Sequence, residues 1–77
     1  MAKKLIINNY VRRLRFMTDE MTQSALAKAV GVSRQTIVAI EKGKYSPSLE
    51  LAFNLAEVFN VPVDEVFYVD KEETEKE

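Results

Sequence analysis

The stretch QSALAKAVGVSRQTIVAIEKG, from Gln23 to Gly43, predicts two short helices joined by a tight turn. Its apolar residues recur at helical spacing on both sides of Gly31, so each half has one face to bury. Glycine suits the turn because the residue just past a helix C-terminus commonly adopts a positive φ, which glycine tolerates at little steric cost. We expect Thr22 and Ser33 to cap the two helices, since a hydroxyl oxygen accepts from an otherwise unpaired amide in the first turn.

Short segments in and around these two helices resemble the helix-turn-helix regulators of the phage-repressor and Xre type. A helix, a glycine turn and a helix would alone be weak support, whereas the whole ordered set is a strong match. The set comprises Thr22-Gln23, Leu26-Ala27, Gly31 to Ile37, Ile40 to Lys44 and Pro47 to Leu49. The resemblance spans roughly residues 11–67, a length that holds one core. It implies a mainly α, five-helix DNA-binding domain of the lambda-repressor type.

The segment before the motif predicts an amphipathic first helix. Lys4 to Ile7 is short, apolar and β-branched, so it is either a strand or the start of that helix. Asn8 or Asn9 is expected to cap the helix. The residues expected on its apolar face are Tyr10, Val11, Leu14 and Met17, while Arg12, Arg13 and Arg15 occupy the other faces.

The segment after the motif predicts a fourth helix that runs to about Phe59. Ser46 is expected to cap it, with Pro47 in the first turn, where proline's missing N–H is not needed. Asn60 suits the position after the helix because asparagine tolerates the left-handed conformation better than most residues. Val63 to Phe67 then predicts a single helical turn as the fifth helix.

The last part of the chain changes from apolar to acidic. Phe67 to Val69 has strand-forming residues, and its pairing with Lys4 to Ile7 as a terminal ribbon, which some members of the family carry, is left open. Asp70 to Glu77 has no apolar residue that would anchor it, so a disordered acidic tail is expected. We therefore expect a helix-turn-helix domain in residues 1–69 and a tail in residues 70–77.

Composition excludes several classes of function. The 77 residues, of which 47% are hydrophobic, predict one small domain with a modest core. Without cysteine or histidine, the chain has no disulfide framework, no imidazole base and no recognisable zinc site. Its acidic pairs do not converge on one site, and it has no glycine-rich phosphate loop. We expect no metal, no cofactor, no small-molecule ligand and no enzymatic activity.

No apolar run approaches the roughly 20 residues that are needed to cross a membrane. The first residues, MAKKLII, are followed by two asparagines and not by the long apolar segment of a signal peptide. The expected location is the cytoplasm, with no membrane partner.

Charge is divided unevenly along the chain. Residues 1–50 hold nine Lys or Arg against four Asp or Glu, and residues 51–77 hold two against eight. A basic surface is what phosphate binding requires, whereas an acidic one repels nucleic acid. Charge alone does not decide between this interpretation and two ordinary solvated faces.

The second helix of the motif carries the candidate base-reading residues. Its buried side is defined by Ile37 and Ile40, which leaves Gln35, Val38, Ala39 and Lys42 on the opposite side and Arg34 on its flank. Arginine can donate two hydrogen bonds to guanine, glutamine can pair with adenine, and small apolar side chains can contact a thymine methyl group. The predicted base contacts are Arg34, Gln35, Val38 and Ala39; the alternative, that this face is merely solvated, is favoured without the resemblance.

The resemblance implies further roles. It places phosphate contacts at the start of the first motif helix and after the second, which together with Ser33 gives the set Thr22, Gln23, Ser33, Lys42 and Lys44. It implies that Glu41 is the structural ion-pair partner of Arg15. Some relatives insert an arginine into the minor groove from the loop before the fourth helix, but that loop here offers only Ser46 and Ser48, so minor-groove reading is not expected.

These features together predict a dimeric transcriptional regulator, most simply a repressor, on a palindromic operator in double-stranded DNA. The candidate interface is the apolar segment after the fourth helix, namely Val61, Pro62, Val63, Val66 and Phe67, which alternatively closes the core of the monomer. The alternative function is a protein-interaction module or antitoxin with the same fold. Sequence-selective, salt-sensitive duplex binding separates the two.

Overall fold

A strand from each end of the chain pairs beside a group of four α-helices. The computed structural model describes residues 4–73, with side chains from Leu5 to Asp70. In chain order the elements are strand β1 (Lys4–Asn9), helices α1 (Val11–Met17), α2 (Gln23–Val30), α3 (Arg34–Glu41) and α4 (Leu49–Phe59), a 3₁₀ turn (Val63–Glu65) and strand β2 (Phe67–Glu73). Within these residues no helix is long and apolar enough to cross a membrane.

The two helices of the motif begin and end where local chemistry predicts. The hydroxyl oxygen of Thr22 accepts a hydrogen bond from the N–H of Ala25 at 3.0 Å, and that of Ser33 accepts from Thr36 at 3.2 Å. Gly31, between the helices, has a φ of +77°, a conformation that costs a residue with a Cβ atom more than glycine. The predicted caps and turn are confirmed.

Helix α4 starts two residues later than predicted. Its N-cap is Ser48, whose hydroxyl accepts from the N–H of Leu51 at 3.1 Å, so the prediction of Ser46 as the cap and Pro47 in the first turn is wrong. Either serine has the chemistry of a cap, and the one in use is followed by Leu51 and Leu55, which both turn into the core. The other end is as predicted, since Asn60 has a left-handed φ of 57°.

The predicted fifth helix is only the 3₁₀ turn of Val63–Glu65, so the described chain has four α-helices. The physical reason lies in the strand that follows. Phe67 already pairs with Asn9, and a residue that pairs in a sheet adopts extended dihedral angles that a helix cannot have. The pairing with β1 therefore ends the turn before it becomes a full α-helix.

Strands β1 and β2 form an antiparallel ribbon, which settles the alternative left open for the N-terminal segment. Ile7 pairs with Val69 and Ile6 with Lys71, so the register shifts between them. The rings of Tyr10 and Tyr68 stack with their centroids 4.6 Å apart. Strand β2 continues to Glu73, four residues past the boundary predicted for the acidic tail, and residues 74–77 of that tail lie outside the described part.

The four α-helices and Val66 form a common core, and Val63 of the 3₁₀ turn and Phe67 of β2 pack against it. The fully buried side chains are Val11, Leu26, Ile37, Ile40, Leu55 and Val66. The predicted apolar face of α1 is partly wrong, because Tyr10 and Met17 are exposed by 40% and 70% whereas Arg15 is exposed by only 7%. Two turns of helix have too little surface to bury all four apolar residues while α1 also turns an arginine inward.

Arg15 is buried because its charge and its N–H groups are all directed at partners. Its Nε donates to Oε2 of Glu41 at 2.6 Å and its Nη2 to Oε1 at 3.1 Å. Its Nη1 donates to the carbonyl of Met21 at 2.8 Å, and the side-chain amide of Gln23 donates to the same Glu41 at 3.1 Å. The ion pair that the family resemblance implied is thus formed, and it joins α1, the start of α2 and the end of α3.

Asn9 adds a second polar tie at the opposite end of α1. Its side-chain oxygen accepts from the N–H of Val11 at 3.1 Å, and its side-chain amide donates to the carbonyl of Ile40 at 2.8 Å. The N-cap residue of α1 is Tyr10, which makes no side-chain cap hydrogen bond, so the prediction of Asn8 or Asn9 as the cap is wrong. Asn9 lies one residue earlier, at the end of β1, and the amide of Asn8 donates to Asp70 of β2 at 3.2 Å.

We expect Glu41→Ala to lower the free energy of unfolding by about 3 kcal/mol, because it leaves the cation of Arg15 buried without a counter-charge. Urea unfolding followed by circular dichroism measures this change. The matched control is Glu57→Ala, which removes an exposed carboxylate of α4 and should change stability by roughly 0.5 kcal/mol or less. Similar losses for the two variants would show that the ion pair does not hold the helices together.

Candidate nucleic-acid interface

The exposed side of α3 carries the residues that the sequence nominates for base reading. Arg34 and Gln35 are both exposed in the first turn, and Val38 and Ala39 are half-buried one turn further on. The opposite side is fixed, since Ile37 and Ile40 are exposed by no more than 1%. A single exposed helix that starts with an arginine and a glutamine has the shape and the donors that the major groove accepts.

An open groove of about 590 Å³ lies between α1 and α3, and residues at the start of α2 also line it. We call it the basic groove. Five of the nine predicted DNA contacts line it, namely Thr22, Gln23, Arg34, Val38 and Lys42. The other four, Ser33, Gln35, Ala39 and Lys44, are not among its lining residues.

The electrostatics of the basic groove follow from which of its charges are already paired. Arg15 and Glu41 both line it, but they neutralise each other. Its other charged lining residues are all cationic: Arg12, Arg34 and Lys42. Within the described part of the chain, none of these three has a carboxylate at ion-pair distance. The groove is therefore suited to an anion.

Two predicted phosphate contacts are already engaged within the protein. Gln23 is half-buried, and its side-chain amide donates to Glu41, so this side chain supports the ion pair. Ser33 accepts from the N–H of Thr36 and also lies 3.0 Å from the hydroxyl of that residue. In contrast, the hydroxyl of Thr22 is used only as an acceptor, from Ala25, and keeps a proton to donate.

The basic groove also includes residues that the sequence did not single out. Arg12 and Phe16 of α1 and Ser24 of α2 line it. The guanidinium groups of Arg12 and Arg15 each lie 5.6 Å from the centroid of the Phe16 ring. A signal for the first of these contacts was present, because Arg12 and Phe16 are four residues apart in a predicted helix and so share a face.

The residues predicted for the dimer interface differ in how far the structure leaves them exposed. Val66 is fully buried in the core of the monomer, so its prediction as an interface residue is wrong. Its carbonyl accepts from the N–H of Tyr10 at 2.8 Å, which places it against the start of α1. Val61, Val63 and Phe67 are half-buried and pack against that core, and Pro62 is exposed.

Comparisons with known proteins agree with this geometry. The family model HTH_3, described as helix-turn-helix, matches residues 19–66, which contain α2, α3 and α4. An uncharacterised HTH-type transcriptional regulator of Archaeoglobus fulgidus is 58% identical over 53 residues, which cover 69% of this chain and 75% of that protein. The transcriptional repressor RstR of the cryptic phage CTXphi of Vibrio cholerae is 36% identical over 61 residues, covering 79% and 54% of the two chains.

Among solved structures, the crystal structure of a putative DNA-binding protein from Bacteroides fragilis superposes with a TM-score of 0.70 at 26% identity, covering 80% of this chain and 98% of that one. These relatives are regulators and DNA-binding proteins, not enzymes. The family model covers more than half of the chain, and its match contains both helices of the motif, α2 and α3. The chain therefore belongs to the helix-turn-helix family of DNA-binding transcriptional regulators.

Proposed function

We propose that this protein is a sequence-specific repressor that binds a palindromic operator as a dimer, with α3 of each protomer in the major groove. The observation that carries the proposal is the exposed side of α3 beside a groove whose unpaired charges are all cationic. RstR, one of the relatives, is a transcriptional repressor. Binding over a promoter would exclude polymerase without any further domain.

Base reading is assigned to the first turns of α3. The exposed Arg34 can donate two hydrogen bonds to O6 and N7 of guanine, and Gln35 can both donate to N7 and accept from the amino group of adenine. Val38 and Ala39, one turn further on, are small enough to contact a thymine methyl group without keeping the helix out of the groove. The four residues thus supply both polar and apolar contacts to base edges.

Backbone contacts are assigned to the groups on either side of α3. Lys42 is the C-cap residue of α3, and Lys44 follows Gly43; both lysines are exposed. On the other side, the hydroxyl of Thr22 and the amides at the start of α2 face the region where a phosphate would lie, at the positive end of that helix. Such contacts fix the orientation of the protein on the duplex and leave sequence preference to α3.

Dimerisation is assigned to the outer face of the ribbon together with the 3₁₀ turn. Leu5, Ile7 and Val69 are exposed by 43%, 45% and 52%, and Ile7 pairs directly with Val69, so the three lie on one face. A two-stranded ribbon is marginally stable by itself, and a second copy would cover this apolar face. The face adjoins Phe67 and is continuous with the interface predicted from the sequence, apart from the buried Val66.

A two-fold dimer would place the second α3 about 34 Å along the duplex, one helical turn away. The operator would then be palindromic. The first experiment is selection of bound duplexes from a random DNA pool, which yields the operator and its symmetry. Enrichment of no sequence, together with a partner protein that binds whether or not DNA is present, would favour a protein-interaction module.

For base reading, we expect Arg34→Ala and Gln35→Ala each to weaken binding to the selected operator by roughly 1–3 kcal/mol. Fluorescence anisotropy on the operator and on a scrambled duplex of the same length measures the effect. Because glutamine carries no charge, Gln35→Ala should leave the affinity for the scrambled duplex nearly unchanged. Equal losses on both duplexes would remove Gln35 from the base-reading set.

For backbone anchoring, we expect Lys44→Ala to flatten the dependence of log affinity on log salt concentration by about one unit, since one fewer phosphate is neutralised. Sequence preference should survive. Lys28→Ala is the matched control, because Lys28 is an exposed lysine of α2 that does not line the basic groove. If both lysines changed the slope alike, the effect would come from net charge and not from contact.

For assembly, we expect the wild-type protein to sediment as a dimer at micromolar concentration and Val69→Asp to sediment as a folded monomer. Val69 is half exposed, so the added carboxylate should disrupt the interface and leave the core intact. The control is Phe53→Asp on α4, which alters a side chain of nearly equal exposure, 54%, outside the proposed interface. A monomeric wild type, or a Val69→Asp protein that stays dimeric, would contradict this assignment.

A further inference from the structure

We propose that Arg12 of α1 binds the sugar-phosphate backbone, so that a DNA strand passes through the basic groove with α1 as its second wall. The inference rests on the proposed function, because it names a further contact for the same duplex. It goes beyond the motif, whose predicted contacts all lie at the start of α2, on α3 or at either end of α3. The argument depends on where Arg12 is held, on which of its groups are free and on what the groove can accept.

The position of Arg12 is fixed by its neighbours on α1. Val11 is fully buried in the core, and Arg15 is held by Glu41 and by the carbonyl of Met21. These two attachments leave a helix of two turns little freedom to rotate about its axis. Arg12 therefore stays on the side of α1 that faces Arg34 and Lys42 across the groove.

The guanidinium of Arg12 lies over an aromatic ring and has no carboxylate at ion-pair distance among the described residues. It lies 5.6 Å from the centroid of Phe16, a distance at which an arginine is attracted to the aromatic ring. A ring engages a cation without accepting its N–H groups in the way that a carboxylate does, so the fork of donors is available to a phosphate. Phe16 itself is exposed by 53%, which the core does not explain.

The one carboxylate beside Arg12 in the groove is not available to it. Glu41 accepts two hydrogen bonds from Arg15 and one from Gln23, and its charge is cancelled by Arg15. No other acidic residue of the described chain lines the groove. Three unpaired cations therefore line the open groove. The phosphates of a DNA strand, which repeat at regular intervals, are complementary in charge to it.

The basic groove and the base-reading side of α3 share three residues, namely Arg34, Val38 and Lys42. A duplex that placed its base edges against the first turn of α3 would bring the phosphates of the adjoining strand over this groove. A backbone strand is thus the occupant that the charge and the continuity with α3 both favour. Arg12 would hold that strand on the side away from α3.

The neighbouring Arg13 supplies a matched control. It is exposed and carries the same charge. It shares a shallow depression with Arg12 and Phe16 and extends towards Asp64 and Glu65, but unlike Arg12 it does not line the basic groove. Replacing either arginine changes the net charge of the full chain equally. Any difference between the two variants therefore reports contact and not long-range attraction.

The test measures the affinity of Arg12→Ala, Arg13→Ala and the wild type for the selected operator over a range of salt concentrations. We expect Arg12→Ala to flatten the slope of log affinity against log salt by about 0.9 unit and to weaken binding about tenfold at fixed salt. Arg13→Ala should match the wild type in slope. Thermal unfolding of both variants verifies that the fold is unchanged.

A second variant, Phe16→Leu, tests the role of the ring. It keeps every charge, so the slope should be retained while affinity falls a few-fold as Arg12 loses its support. Unchanged affinity would show that the ring does not position Arg12. Equal slopes for Arg12→Ala and Arg13→Ala would overturn the inference and leave the proposed function standing, whereas a wild type that binds no duplex would overturn the proposed function itself.

Discussion

The buried ion pair between Arg15 and Glu41 sets the arrangement on which the rest of the structure depends. Removing two charges from water is costly, and the cost is offset only where geometry is good and the remaining donors and acceptors are satisfied. Here the guanidinium makes three hydrogen bonds and the carboxylate accepts three. Because these partners come from α1, from the connection before α2 and from α2 and α3, the pair fixes three helices relative to one another and specifies one arrangement of them.

The same pair shapes the charge of the DNA-facing surface. Each partner cancels the other at the floor of the basic groove, so that Arg12, Arg34 and Lys42 are left as its effective charges. A carboxylate placed on this surface without such a partner would repel a phosphate. The acidic residues Asp64 and Glu65 lie in the 3₁₀ turn, beside Arg13 and away from the groove. These two acidic residues of the C-terminal part therefore lie away from the cationic surface.

The ribbon has a different part in this arrangement. It joins the two ends of the described chain, and Asn9 at the end of β1 accepts from the N–H of Val11 in α1 and donates to the carbonyl of Ile40 in α3. Its pairing also shortens the fifth helix to a 3₁₀ turn, since Phe67 is already committed to β1. What remains exposed is one apolar face of two strands, beside the segment that the sequence nominated for self-association.

The sequence by itself determined the helix-turn-helix unit, because its signals are local. Hydroxyl caps at Thr22 and Ser33, a left-handed glycine at position 31 and apolar residues at helical spacing act within a few residues of one another. The exposed side of α3 follows from the same spacing. These signals identify which face of α3 is free, and they also predicted the left-handed Asn60 that ends α4.

Only the tertiary structure decided features in which two residues compete or distant segments meet. Ser46 and Ser48 are equally good caps in isolation, and contact of α4 with the core selects the second. A helix of two turns does not specify from its own spacing that Arg15 points inward while Tyr10 and Met17 stay exposed, because Glu41, 26 residues away, supplies the charge that makes burial acceptable. Val66 is buried in the monomer core because it packs against residues distant in the sequence. Only Arg12 of the two adjacent arginines lines the basic groove, which α1 forms together with α3. Packing between distant segments is what local propensity does not contain.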